Sequence, residues 1–182
     1  FDTIDSTNNE LKRMAANGAC EGTVILALSQ TEGRGRRGRQ WQSEPGTGIY
    51  MSVLLRPELS PTAVQSVTLL ASSAVCKVLE KYVPDGLGIK WPNDILINSK
   101  KVCGILTEMT SEPDKVQAII LGIGLNVWNR EEDFRDGLAE TATSLCLNTR
   151  KEISRSMLVA EILQELEDLY LNFIEKGSSA KF

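Results

Sequence analysis

Apolar residues recur along the chain with two different spacings, and segments of the two kinds alternate. After Ser60 and Pro61, residues Val64, Val67, Ala71, Ala74, Val75, Val78 and Tyr82 fall about 3.6 positions apart. This predicts a helix packed by one face, with the Ser-Pro pair as its start signal. The period returns over 156–175, where Val159, Ile162, Leu166, Leu169 and Phe173 share a face and the acidic residues lie mostly elsewhere. A shorter helix is predicted after Thr7: Thr7 and Glu10 have capping-box spacing, and Gly18 suits the position just past a helix end. Between these lie strand-like runs. "GTVILALSQ" (22–30) and "GIYMSVLLRP" (48–57) are rich in β-branched and large apolar residues. "GIKWPNDILINSKKVCGILTEMT" (88–110) reads as strand, turn, strand, broken early by Pro92 and turning at Asn98-Ser99, and "KVQAIILGIGLNVW" (115–128) as one more strand.

The strands outnumber the helices and several adjoin through short turns. The expected fold class is therefore α+β, a mixed, largely antiparallel sheet with helices packed on it, rather than a doubly wound fold. There is no internal repeat and no low-complexity linker, so 1–182 is expected to form a single domain.

Composition narrows the chemistry. The chain has 42% hydrophobic and 24% charged residues, a formal charge of -4, no apolar run near the roughly 20 residues of a membrane helix, and no signal-peptide pattern. A soluble cytoplasmic protein without a membrane partner is expected. The chain begins without Met and stops soon after the last helical segment, so both ends are consistent with cuts from neighbouring domains. It contains no histidine, and Cys20, Cys76, Cys103 and Cys146 are far apart with no C-x-x-C pair. Zinc sites of the usual Cys/His type, Ser-His-Asp and Cys-His catalysis and H-E-x-x-H metalloprotease chemistry are thereby excluded, and no metal site is expected. The cysteines read as buried apolar thiols in a reducing compartment.

One segment stands against the acidic background. "GRGRRGR", Gly33 to Arg39, packs four arginines and three glycines into seven positions. It admits a solvated basic loop, a nucleic-acid patch or a cradle for the phosphates of a small ligand. A nucleic-acid surface usually spreads its charge over a face, whereas these arginines form one cluster. The glycines fit neither the Walker nor the Rossmann pattern. A phosphate-binding loop remains, with guanidiniums making paired, charge-assisted hydrogen bonds. A second polar constellation is split in two: Lys90, Asn93 and Asp94 precede one apolar stretch, and Lys100 and Lys101 precede another ending in Gly104. A hairpin turning at Asn98-Ser99 would bring the region of Asp94 near Lys101, beside a glycine where a ligand can approach closely; an ordinary surface ion pair fits equally.

"IDSTN", "SQTEGRGRRGRQW", "KWPNDILINSKKVCGIL" and "GIGLNV", in this order and spacing over about residues 3–175, resemble the catalytic domain of biotin-protein ligases, the biotin-[acetyl-CoA-carboxylase] ligase family. The resemblance implies the sheet of the class II synthetase and biotin ligase superfamily. It also implies an activity: biotin and ATP give biotinyl-5'-adenylate and pyrophosphate, and the biotinyl group passes to one lysine of a biotin carboxyl carrier protein. By matching position, Ser6, Thr7, Gln30, Gly33, Arg34 and Gly104 are implied to bind biotin, Thr7 sharing that role with capping. Arg36, Arg37, Arg39, Trp41, Asn93, Asp94 and Asn126 are implied around ATP and the adenylate, Asn126 near the adenine, with plain core packing as the competing role for Trp41. Lys101 matches the catalytic lysine, with Arg36 assisting. Mg²⁺ is implied only as the companion of ATP. A loop with three glycines and repelling arginines is expected to order over bound ligand.

The resemblance has gaps. The small C-terminal β-barrel and the N-terminal helix-turn-helix common in the family have no counterpart in this chain, so no nucleic-acid role is expected for it. Sheet-edge homodimers occur in the family, and nothing in the sequence selects one. Two rivals stand beside it. A lipoate- or octanoate-protein ligase or transferase shares the fold, but its R-R-x-x-G-G-G-x-V-x-H type motif is not matched. A non-catalytic arginine-loop nucleic-acid module predicts steeply salt-dependent binding without biotin dependence.

Overall fold

The computed structural model describes residues 1–111, 116–135 and 137–176. In chain order the elements are β1 (Thr3–Ile4), α1 (Thr7–Ala16), β2 (Val24–Ala27), β3 (Ser29–Gln30), β4 (Gly48–Leu55), α2 (Val64–Glu80), β5 (Leu87–Lys90), β6 (Asp94–Ile97), β7 (Lys100–Ser111), β8 (Val116–Asn126) and α3 (Arg155–Lys176). Six strands form one antiparallel sheet in the order β2-β4-β8-β7-β6-β5, and β1 and β3 pair in parallel as a separate ribbon. The α+β class, with its mixed but largely antiparallel pairing, is as the patterning predicts.

The two faces of the sheet are covered unequally, and this creates the site. Along β8, Ile119, Leu121, Ile123 and Leu125 point to the face on which α2 and α3 lie, and join Val67, Val75, Val78, Leu158 and Ile162 in the main core. The alternate positions Ala118 and Ile120 meet Leu11 of α1 in a second, smaller cluster with Ile25 and Leu54. Further along that second face the side chains vanish: Gly122 and Gly124 of β8 lie opposite Leu106 and Gly104 of β7. With α1 covering only part of this face, the glycines leave a flat floor.

Local chemistry explains where the elements end. Helix α1 closes in a Schellman turn, with Ala19 N–H donating to Met14 O (3.0 Å) and Gly18 N–H to Ala15 O (3.3 Å), Gly18 sitting at φ +87°. Asn98 (φ 48°) and Ser99 (φ 69°) both adopt left-handed backbone, the geometry of a two-residue hairpin turn between β6 and β7. At the end of β4, Arg56 turns back so that its guanidinium donates to Ala15 O and Ala19 O, satisfying carbonyls at the C-terminus of α1.

Four expectations are corrected. The capping box does not form: Ser6 is the N-cap and makes no side-chain cap bond. Thr7 turns its hydroxyl toward Gln30 and Ser52 instead, and Glu10 pairs with Arg13. The run 22–30 is two strands, because after Ala27 the chain leaves β4 and its backbone bonds pass to the N-terminal segment, Leu28 N–H to Phe1 O and Ser29 N–H to Asp2 O. In α3 the fully buried stripe is Leu158, Ile162, Leu166, Tyr170 and Phe173, with Val159 and Leu169 only partly covered. Of the cysteines only Cys103 is buried; Cys20 is exposed and the other two are intermediate. Residue 115, the start of the predicted last strand, lies outside the described residues.

Candidate functional site

A cleft, open on one side, lies over the glycine floor. Three structural devices deliver polar groups to it. The first is the β1–β3 ribbon, which ties the start of α1 to the chain entering the arginine loop: Thr31 N–H donates to Ile4 O and Glu32 N–H to Asp5 O. Beside it, Arg13 grips Asp5 through two bonds of 3.0 and 2.9 Å. Those bonds hold the Asp5 carboxyl well below the usual carboxylate range.

The ribbon places Gln30 against the first turn of α1. Gln30 Oε1 accepts from Thr7 N–H (2.9 Å) and faces Thr7 Oγ1 (3.2 Å), while its Nε2 donates to Ser43 Oγ (2.9 Å). Ser52 Oγ, fully buried, lies 2.8 Å from Thr7 Oγ1 and 2.6 Å from Asn8 Oδ1. One end of the cleft is thus a connected set of hydroxyls and amides, with donors and acceptors held in place by partners rather than by solvent.

The second device is a bulge in β7. Asp94 pairs with Gly104 and Ile95 with Cys103, but Leu96 then pairs with Lys101, so Val102 is the extra residue. Strict alternation would put Lys101 and Gly104 on opposite faces; the extra residue returns Lys101 to the cleft side, where a Cβ on Gly104 would meet Lys101 Nζ at 2.9 Å. The strand survives because a neighbouring loop supplies the missing pairing, Lys101 N–H to Thr141 O (2.8 Å) and Thr143 N–H to Lys101 O (2.9 Å). Lys101 Nζ meets Asp94 Oδ1 at 2.8 Å.

The third device is the arginine loop itself. It folds into a short 3-10 turn over Arg36–Gly38, with Arg37 at φ 58°, closed by Gly35 N–H to Arg39 O (2.7 Å) and Trp41 N–H to Gly33 O (2.9 Å). Arg36 reaches across the cleft to Asn93 Oδ1 (2.7 Å), and Asn93 Nδ2 donates to Asp94 Oδ1 (2.9 Å). A line of contacts therefore runs Arg36, Asn93, Asp94, Lys101. The Trp41 ring rests on the floor: a Cβ on Gly124 would meet its Cε2 at 2.6 Å, and one on Gly104 its Cζ3 at 2.9 Å. Lys101 Nζ stands 5.2 Å from the ring centre, within cation–π range. The buried Trp41 Nε1, packed against Gly124, has no hydrogen-bond partner among the described residues.

Of the residues singled out in the sequence, Ser6, Thr7, Gln30, Arg34, Arg36, Trp41, Asn93, Lys101 and Gly104 line the cleft. Gly33 is buried beneath it, where a Cβ would strike Trp41 O. Asp94 acts from behind Lys101, and Arg37 and Arg39 are exposed. Asn126 is buried and donates to Thr143 O (3.0 Å), tying β8 to the loop that completes the pairing of Lys101. Sequence reasoning missed Asn8, Ser52, Gly122, Gly124 and Glu108. The alternation of Ile and Leu with Gly in "IILGIGLN" is a period-2 signal that exposes the floor.

This chain belongs to the Biotin/lipoate A/B protein ligase family, whose model matches residues 1–126. Over 176 residues it is 43% identical to the bifunctional ligase/repressor BirA of Bacillus subtilis, covering 97% of this chain and 54% of that one. It is 36% identical to the biotin--[acetyl-CoA-carboxylase] ligase of Mycobacterium tuberculosis, covering 89% and 59%. The chain thus spans about half the length of the curated relatives it matches. Among solved structures, the biotin protein ligase of Aquifex aeolicus in complex with biotin and ATP superposes with a TM-score of 0.80 at 31% identity, covering 98% of this chain and 72% of that one.

Proposed function

We propose that this chain carries the catalytic centre of a biotin–protein ligase, which activates biotin with ATP and passes it to a lysine of a biotin carboxyl carrier protein. The observation that carries the reading is the meeting of a polar, pre-bonded pocket with a cationic centre on one glycine floor. Ser6, Thr7 and Gln30, the last held from behind by Ser43, suit the ureido head of biotin, which needs fixed donors and acceptors once buried. The glycines and the Trp41 ring suit its flat bicycle and chain. Lys101 and Arg36 stand where a carboxylate and a phosphate would have to meet.

The chemistry needs no histidine. A biotin carboxylate is ionised at neutral pH, so its oxygen attacks the α-phosphorus of ATP without a general base, and pyrophosphate leaves with the electrons of the broken P–O bond. Lys101 and Arg36 counter the charge gathering on the phosphate oxygens. Mg²⁺ enters as part of the ATP substrate. In the second step a neutral carrier amine attacks the acyl carbon, AMP departs, and the amine gives up a proton, for which Asp94, behind Lys101, is the candidate orienting group or acceptor. The exposed Arg37 and Arg39 are free to move onto the phosphates, and closure of the loop would shield the mixed anhydride from water. The unpaired cysteines suit work in the cytoplasm.

The test is labelled biotin, MgATP and an isolated carboxyl carrier domain. Label at a single carrier lysine, absent without ATP, is expected; carrier that stays unlabelled while a full-length relative labels it would refute transfer by this chain.

A further inference from the structure

We propose that Glu108 is a positioning residue, a latch on β7 whose carboxylate seats Arg34 and thereby fixes the arginine loop over the cleft. Two elements converge on it. From the loop, Arg34 Nη2 lies 2.9 Å from Oε2 and 3.2 Å from Oε1. From α1, Lys12 Nζ donates to Oε1 at 2.7 Å and Asn8 Nδ2 to Oε2 at 2.8 Å. Burial alone would raise the carboxyl's pKa, but the bonds from Lys12 and Asn8 and the charges of Lys12 and Arg34 outweigh it and lower the value.

An ion-pair cluster of this kind can be plain scaffolding, and two features say otherwise. The first is what Arg34 does: it is the loop's bond to the helix side of the cleft, as Arg36 to Asn93 is its bond to the hairpin side. With both made, the loop spans the opening. The second is the partner Asn8, 4% exposed, whose side chain lies over Gly122 and whose Oδ1 meets Ser52 Oγ. A continuous path therefore runs from Glu108 through Asn8, Ser52 and Thr7 to Gln30, joining the latch to the pocket proposed for the biotin head. Seating the loop and setting the pocket's donors are mechanically one event.

A carboxylate is required for this. It only accepts, and its two oxygens serve three donor groups; a glutamine of the same shape has one accepting oxygen and turns the other position into a donor facing Asn8 or Arg34. Glu108→Gln should release the loop without removing volume.

The experiment is limited trypsin digestion of the ligand-free chain, reading cuts after Arg36, Arg37 and Arg39 against cuts elsewhere, with thermal melting alongside. Wild type and Glu108→Gln are compared, then Arg34→Met, whose exposed side chain makes misfolding a small risk, and the double variant. Loop cleavage on the order of tenfold faster in Glu108→Gln is expected, from the loss of a charge-assisted bond. Cuts elsewhere should rise far less than cuts in the loop, with only a modest fall in melting temperature from the lost bonds of Lys12 and Asn8. Arg34→Met should match it, and the double variant should add nothing. Loop cleavage equal to wild type, or a rise at every site in step with a fall in melting temperature, would overturn the latch. The consequence for turnover rests on the proposed function: in biotin-dependent exchange, Glu108→Gln should raise the biotin KM about tenfold and lower kcat much less. Absence of exchange in wild type with the cleavage contrast intact would count against the ligase reading and leave the latch standing.

Discussion

Replacing Gly124 by alanine tests the floor of the site with one methyl group. The new Cβ would lie 2.6 Å from Cε2 and 2.7 Å from Nε1 of Trp41. Ordinary carbon contacts are about 3.5–4.0 Å, so the overlap is about an ångström. Strand β8 is bonded on both sides, to β4 and β7, and has no room to retreat. The indole must lift, and with it the end of the arginine loop. Overpacking of this size costs about 1–3 kcal/mol, and because Trp41 sits on the loop rather than in the core, the cost falls on the site. At about 1.4 kcal/mol per tenfold, biotin affinity should fall by about five- to 150-fold while the melting temperature moves by a few degrees at most. Titration calorimetry with biotin, beside thermal melting, reads both. Gly88→Ala is the control, since a Cβ there meets nothing within 4 Å and affinity should be unchanged. Wild-type affinity in Gly124→Ala would refute the packing of Trp41 on the floor as a determinant of binding.

The remaining predictions concern the cationic centre and the latch. Lys101→Met removes the ammonium that meets Asp94 at 2.8 Å; adenylate formation should fall by about two to three orders of magnitude with little loss of stability, since the pair is partly exposed. Asp94→Ala should slow transfer from preformed adenylate to carrier amine by at least about tenfold, read by rapid quench; unchanged transfer would remove Asp94 from the second step. Glu108 has a folded pKa below its ordinary value, so its stabilisation is complete above the usual glutamate range and is lost as pH falls through the lowered value. The stability gap between wild type and Glu108→Gln, from urea unfolding, should accordingly be constant from pH 8 to 6 and narrow under acid conditions.

Much of this was legible in the sequence where a pattern had a single physical meaning. The helical stripe from Val64 to Val78 could only be an amphipathic helix, and Asn98-Ser99 between apolar runs could only be a tight turn. The arginine cluster announced itself by contrast with an acidic chain. What escaped depended on partners distant in sequence. Thr7 has the spacing of a cap, but its hydroxyl answers to Gln30 and Ser52, 23 and 45 residues away, and local spacing carries no record of that competition. The bulge at Val102 is silent in the sequence because Val102 and Cys103 are both apolar and buried, so neither marks a face. Glu108, in "GILTEMT", reads as an ordinary exposed strand residue, and its role exists only because α1 and the loop arrive at the same place. The floor is the instructive miss: Gly122 and Gly124 alternate with Ile and Leu in plain view, and a period-2 reading places them on one face.

On the proposed function, one cleft binds biotin and ATP together and joins them at Lys101. Biotin-dependent exchange of labelled pyrophosphate into ATP measures that step alone, without a carrier protein. Exchange that requires biotin is expected, with its loss in Lys101→Ala under conditions where that variant remains folded. Exchange that proceeds equally in Lys101→Ala, or a chain that binds no biotin at all, would contradict it.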